Sequence, residues 1–567
     1  MAKDNVRIHN APPVKCPQRL PTKTPETDSG SRSLLKLGVA HDVSSSQTLT
    51  TRNPRTFDDL LNRIGGFGAF QWLAIFLLLS PEIPAAFVTF SPVFTGRTPS
   101  QWQCISNDSS QNISSDWLSS EEACRCQGKL MSADSSIVSE WGLICGSSWV
   151  SDFITSIQML GMLTGSLTAS QISDWFGRKR VYLGVCFLMA FGQFLSSVAP
   201  NPILYGIARF ICGAGISGFM GLSTIYPMEF LTPKYRMLTG GVGPWGEGII
   251  LLALLANYFT EWRTLVWITA LPFVFVFISV PFLPESPRWL LRNQRVEEAV
   301  EAIKTIQRIN SFSILGRKSN EKGDEVEVNE ELLEKIALEE LNQQSGSTTR
   351  FSYAEFLRND SLRGKTLLLM GIWCSWALVY FGVSYNIKNL GGDVHVNMGL
   401  LGLSDAIGYR TSLLLCNRIG RRKSLILFML VGAAFLVALA VSDVIFILSS
   451  TVVIVLCFAG KIGVAAARSA ARMLTGESFP TPVRTMGYGI TGVAAGIGGI
   501  VSPQIVLIGS LWWSPLPFVT FGVLSIMGSV LSLLLPETAG QSLQDTVEVT
   551  TTIKSNREGN SDKCVNI

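Results

Sequence analysis

Eight charged side chains sit inside apolar stretches of this chain: Glu82, Arg209, Glu247, Asp405, Arg410, Lys461, Arg468 and Arg472. A charge in such surroundings is costly, so each is a candidate for function. Arg468 and Arg472 are spaced to share one helix face. Two guanidiniums on one face suit a carboxylate, sulfate or phosphate, which they can grip bidentately. Arg472 has a competing use, because Glu477 and the membrane headgroups are within its reach. Trp245, Trp373, Trp376, Tyr380 and Tyr385 could stack on a cation. For each of them a packing or interfacial-belt role is the commoner one. The set expected to touch substrate is Glu82, Glu247, Tyr380, Asp405, Arg410, Arg468 and Arg472.

Catalytic chemistry finds no support. There are three histidines in 567 residues, and no HExxH, paired CxxC or Walker A sequence. Gly213-x-Gly215-x-x-Gly218 has dinucleotide spacing but lies in an apolar helix with no preceding strand. Neither a cofactor nor a metal is expected, and the chain reads as a non-enzyme. A net charge of +4 is too small to indicate a nucleic-acid partner.

The elements that position these residues follow from composition. The chain is 47% hydrophobic and 16% charged, against about 25% charged in soluble domains. A helix needs about 20 apolar residues to cross a bilayer. About twelve such stretches occur, near 69–93, 149–169, 181–199, 203–225, 237–258, 265–283, 366–385, 396–415, 424–441, 444–466, 487–509 and 516–535. Lipid forces them to be helical. The fold class is therefore all-α integral membrane, with twelve transmembrane helices.

Polar blocks divide the chain. Residues 1–55 read as a disordered cytosolic tail, 56–283 as a first six-helix bundle, 284–364 as a cytosolic loop with a surface helix over 323–341, 365–537 as a second bundle, and 538–567 as a cytosolic tail. Lys and Arg cluster on the loops of one side, notably Arg178, Lys179, Arg180, Arg421, Arg422 and Lys423. That asymmetry places both termini in the cytosol and 94–148 outside. This outer segment carries Cys104, Cys124, Cys126 and Cys145, expected as disulfides in an unspecified pairing, and the glycosylation sequons at Asn107 and Asn112.

Charged motifs recur in the same order at a nearly constant offset. Asp174-Trp-Phe-Gly177-Arg-Lys-Arg is echoed by Asn417-Arg-Ile-Gly420-Arg-Arg-Lys. Glu229 with Arg236 is echoed by Glu477 with Arg484, and Pro284-Glu285 by Pro536-Glu537. Two parallel six-span repeats follow, with a site between them near mid-membrane. The acids and bases at these helix ends are expected to pair across the two halves and gate them. The gate set is Asp174, Gly177, Arg178, Glu229, Arg236, Glu285, Arg288, Gly420, Arg421, Glu477 and Arg484.

The chain resembles the organic cation/anion/carnitine transporter family of the major facilitator superfamily. The resemblance rests on Val138-Ser-Glu-Trp-Gly-Leu-Ile-Cys145, Asp174 to Arg180, Pro233-Lys-Tyr-Arg236, Glu261-Trp-Arg-Thr-Leu265, Pro284-Glu-Ser-Pro-Arg-Trp-Leu-Leu291 and Glu477-Ser-Phe-Pro-Thr-Pro-Val-Arg484. It covers about 56–545. It implies the two-bundle major facilitator fold and alternating-access transport of small organic ions at the plasma membrane, with room for a co-transported ion. Family cation carriers have an aspartate, and anion or carnitine carriers an arginine, where this chain has Gly496. An acid in the eighth span is matched by Asp405, and the mixture of Asp405 and Glu82 with Arg468 and Arg410 suits a zwitterion such as a carnitine-like compound. The alternatives are an organic anion held by Arg468, Arg472 and Arg410, and a non-transporting receptor on a transporter fold.

Overall fold

A computed structural model describes residues 57–63, 66–99, 101–105, 118, 120–126, 129–132, 134–232, 235–236, 238–311, 331–332, 335, 353–389, 392–445, 450–479 and 483–539. Twelve spans lie within them. The first is broken, running Ala69–Leu79 and Glu82–Thr95 with Ser80-Pro81 between. The next three are continuous: Trp149–Phe176, Arg178–Ser197 and Pro202–Met228. The fifth runs Leu238–Gly241 and Trp245–Tyr258, and the sixth Trp262–Ala270 and Phe273–Ser279. The second half is more regular: Asp360–Tyr385, Val394–Ile419, Arg421–Ile445, Ser450–Ser478, Arg484–Trp512 and Leu516–Leu533.

Ten of these are long and apolar enough to cross a membrane by composition. The second and eighth, of 28 and 26 residues, have the length but a more polar composition. Their polar residues are turned inward: Thr155, Gln158 and Ser173 in the second span, and Asn397, Ser404, Asp405 and Ser412 in the eighth, are all buried. A span that faces protein on most sides can be polar without exposing that polarity to lipid.

Each half packs internally, and the halves meet along two principal seams, the second span on the eleventh and the fifth on the eighth. Under the repeat these seams are equivalents of each other, as a duplicated chain requires. Both are lined by small residues, which let backbones approach closely. A side chain on Gly246 would lie 2.5 Å from Ala406 N and 2.6 Å from Gly402 O. Ser156 Oγ donates to Ile500 O at 3.1 Å and accepts from Gln504 Nε2 at 3.0 Å across the other seam. Gly213 and Gly218, the false dinucleotide motif, pack the fourth span against the second and third.

Between the first and second spans a two-stranded antiparallel ribbon, Gln103–Ile105 with Lys129–Met131, departs from an all-helical chain. Disulfides join Cys104 to Cys126 and Cys124 to Cys145, a pairing that residue spacing alone left open. Glu140 ties this segment to the sixth span through Arg263 at 2.6 Å and Trp262 Nε1 at 2.9 Å. Asn107 and Asn112 lie outside the described residues.

The 284–364 block holds helices not expected there: Pro287–Arg292, the amphipathic Val296–Ser311, and Tyr353–Arg358. Val296–Ser311 buries Ala299, Val300, Ile303 and Ile306 and packs on the first span, where Asn310 Oδ1 accepts from Phe70 N at 2.9 Å. Its stripe of apolar positions is visible only once read at helical period inside a charged stretch. The helix expected over 323–341 falls mostly outside the described residues.

Candidate functional site

At the end of the bundle marked by Asp174, the duplicated motifs build two matching ion clusters. In the first half Arg178 donates to Asp174 at 2.6 Å and to Glu229 at 3.2 Å, while the backbone N–H groups of Arg178 and Lys179 reach Glu285 at 2.9 and 3.1 Å. In the second half Arg421 Nε donates to Glu477 at 3.4 Å, and the N–H groups of Arg421 and Arg422 reach Glu537 at 2.8 and 3.3 Å. Gly177 and Gly420 start these turns at φ +100° and +99°. L-residues avoid this region.

The expected pairing of these groups across the halves is therefore not what the structure shows. Asp174, Arg178, Glu229 and Glu285 bond within the first half, and Arg421, Glu477 and Glu537 within the second. Arg236 and Arg288 both bond Asp58, on a helix Phe57–Arg63 ahead of the first span. The reason is that each motif's acid and base flank neighbouring helix ends of one bundle and bond there. Burial pushes the Glu285 carboxyl above its ordinary range against three N–H donors. Glu537 feels less burial, and its four backbone donors hold it below that range.

A further group of charges lies at the centre, where Glu82 and Trp245 of the first half meet Arg472 and Tyr380 of the second. Asp405, in the eighth span, is fully buried. Tyr380 of the seventh span donates to its Oδ2 at 2.5 Å. Lys461 of the tenth span, also fully buried, stands 3.8 Å from Oδ1. The same ammonium donates to Ser384 Oγ at 2.6 Å and lies 3.2 Å over the Tyr380 ring. Trp245 of the fifth span donates to the Tyr380 hydroxyl at 2.9 Å, so the acid–phenol–indole chain crosses from one half to the other.

Two turns along the tenth span, Arg468 donates to Tyr409 and lies over the rings of Trp245 at 4.8 Å, Tyr409 at 5.5 Å and Trp376 at 5.9 Å. Among the described residues no carboxylate pairs with it. Arg472, a further turn on, faces Glu82 of the first span at 3.9 Å. Glu477, its competing partner, is taken by Arg421 and Thr538. Glu82 is 3% exposed, Arg468 5% and Arg472 7%, so the cluster is sealed from both sides. Three cations and two carboxylates are enclosed together.

Of the residues expected to touch substrate, Glu82, Tyr380, Asp405, Arg468 and Arg472 converge here. Glu247 and Arg410 do not: they form an ion pair with each other, half-exposed, joining the fifth and eighth spans. Each is on an expected span, on its half-exposed flank. Trp245 and Trp376 line the cluster, whereas Trp373 bonds Thr475 and Tyr385 bonds Thr89 O. Arg209 is fully buried inside the first bundle, held by Gln158, Gln193 and Val88 O. Lys461 was visible as an intramembrane charge but not as a partner of Asp405. Tyr409 gave no signal beyond its type, although it sits four positions after Asp405 on one helix face.

Two six-helix bundles meeting over a buried ionic and aromatic cluster have the build of an integral-membrane solute carrier. The comparisons agree: residues 97–549 match the "Sugar (and other) transporter" family model, and the chain belongs to that family. It is 31% identical over 533 residues to an organic cation transporter protein of Drosophila melanogaster, covering 87% of this chain and 94% of that one. It is 28% identical over 546 residues to the organic cation/carnitine transporter 2 of Homo sapiens, at 87% and 94% coverage. A bromodeoxyglucose-bound proton:xylose symporter, XylE, superimposes with a TM-score of 0.61 at 14% identity, covering 84% of this chain and 98% of that one. At that identity the likeness speaks for the fold, which is that of the major facilitator superfamily.

Proposed function

We propose that this chain is a plasma-membrane carrier of small organic ions that works by alternating access, and that its substrate brings a carboxylate to Arg468. A carnitine-like zwitterion fits first and an organic anion second. The observation that carries this reading is the asymmetry of the cluster. Asp405 already holds an ammonium of the protein's own, while Arg468 is buried with a phenol and aromatic faces and, among the described residues, has no carboxylate at ion-pair distance. A buried guanidinium without a counter-ion is unfavourable. A substrate carboxylate gripped by its fork would supply the missing charge. Trp245 and Trp376 offer flat faces beside it for an organic body or an onium group. The relatives named for organic cations and carnitine support organic ions as the class.

The orientation supports the same reading. Lys and Arg crowd the Asp174 end, which supports a cytosolic position for that end and for both termini. Disulfides on the opposite face suit an oxidising exterior.

The experiment is uptake by purified protein in liposomes of a labelled cation, a carnitine-like zwitterion and a dicarboxylate, with and without a sodium or proton gradient. Arg468→Ala should impair the zwitterion and the dicarboxylate more than the cation. Equal loss of all three would remove Arg468 from substrate binding, and no uptake of any by the unaltered chain would remove the transport of organic ions.

A further inference from the structure

At the Asp174 end of the molecule a second group of cations is poorly neutralised. Asp58 accepts from Arg236 Nη2 at 3.2 and 3.3 Å through its two oxygens, and from Arg288. Arg236 is 9% exposed, and its Nη1 is buried with no hydrogen-bond partner among the described residues. Arg288 Nε is in the same state, its guanidinium lying 4.8 Å over the Phe57 ring. Arg484, which opens the eleventh span in the other half, is close enough for its charge to act on Arg236. Burial, Arg288 and Arg484 together push Arg236 down to about 10, against the pull of Asp58. Arg236 and Arg288 thus share one carboxylate, and each holds a buried N–H group with nothing among the described residues to donate to.

We propose that Arg236, Arg288 and Arg484 form a binding site for a phosphate-bearing anion between the two halves, on the face assigned above to the cytosol. The two guanidiniums on Asp58 leave a net positive charge, and Arg484 adds its field from the other half. That surplus suits the roughly −1.5 to −2 of a phosphate monoester near neutral pH. Its tetrahedral oxygens can accept from several arginine forks at once. Asp58, whose side chain is 32% exposed, marks the side open to solvent and competes with the incoming anion for the same donors. Because Arg236 and Arg288 belong to the first half and Arg484 to the second, an anion held by all three fastens this end shut and slows inward opening. The site is independent of what the central cluster carries.

The test uses the full chain purified in an uncharged detergent, with thermal stability read against added ligand. One arm titrates inorganic phosphate against chloride at matched ionic strength. The other titrates a short-chain phosphatidylinositol phosphate against short-chain phosphatidylcholine. A saturable rise in Tm is expected in at least one arm. A rise with inorganic phosphate identifies a soluble phosphate as sufficient, and a rise with the lipid alone identifies a headgroup. Arg288→Gln and, separately, Arg484→Gln should each weaken the half-saturation point at least fivefold. Asp58→Asn, which removes the competing carboxylate, should tighten it at least threefold, an effect that a merely structural Asp58 would not produce. No rise over both controls, a rise unaltered in both arginine variants, or weaker binding in Asp58→Asn would each overturn the proposal.

Discussion

Replacing Lys461 by Gln isolates the feature proposed to set charge preference. Lys461 and Asp405 are fully buried, 3.8 Å apart, and the remaining partner of the carboxylate is the Tyr380 hydroxyl. Taking away one member of a buried ion pair costs about 3–5 kcal/mol, because the other is left without compensation. The empty variant should therefore be clearly less stable than the parent. A small organic cation reaching Asp405 would restore a charge-assisted hydrogen bond or ion pair worth about 1.5–3 kcal/mol, which is roughly ten- to a hundredfold in affinity. Lys461→Gln is expected to gain that factor for cations relative to zwitterions and dicarboxylates in competition uptake, and to recover Tm when a cation is added. Lys461→Arg keeps the charge and should keep the parental preference. A folded Lys461→Gln protein whose ranking of the three substrate classes is unchanged would refute the idea that this ammonium occupies the cation position.

Three further outcomes follow from the geometry. Gly177→Ala and Gly420→Ala each force an L-residue into a positive-φ turn, with the new methyl 2.5 Å from Glu285 and 2.6 Å from Glu537 respectively; each should cost at least about 1–2 kcal/mol, read as a fall in Tm with uptake KM little changed. Glu537 is held below its ordinary value of 4.5, so its stabilising contribution is in place above that pH and is lost as pH falls through its folded value; Glu537→Gln should flatten the acid side of the Tm–pH curve, and an unaltered curve would contradict the assignment. Reduction of the Cys104–Cys126 and Cys124–Cys145 bridges should lower stability by about 2–4 kcal/mol for each, measured as Tm with and without reductant.

The spans, the duplication and most of the central charges were legible in the sequence because each rests on a one-dimensional signal. Hydropathy marks lipid-facing helices, a repeated motif marks a repeated half, and an arginine in an apolar run marks a cost that must be met. Partner choice is different, since it depends on which helix faces which. Glu285 and Glu537 both lie in Pro-Glu motifs, and the structure gives each to the backbone N–H groups of its own half. Arg410 carries the same signal as Arg468, yet bonds Glu247 on a half-exposed flank. Asp405 reads as a free acid for a cation until Lys461, remote in sequence, is found beside it. The second and eighth spans read as polar because they carry buried polar residues that bond inside their own halves, Gln158 with Arg209 and Asp405 with Tyr380 and Lys461.

The central claim is that two bundles rock about a sealed cluster that binds an organic ion. Spin labels placed at Arg180 and Lys423, both exposed at the Asp174 end, and in a second protein at Pro200 and Ser514, both exposed at the opposite end, would report the two openings separately. On adding a transported zwitterion, the account predicts reciprocal shifts, one pair separating as the other draws together, and the loss of both shifts in Arg468→Ala. Distances that stay fixed at both ends, or that widen together, while substrate is being transported would contradict it.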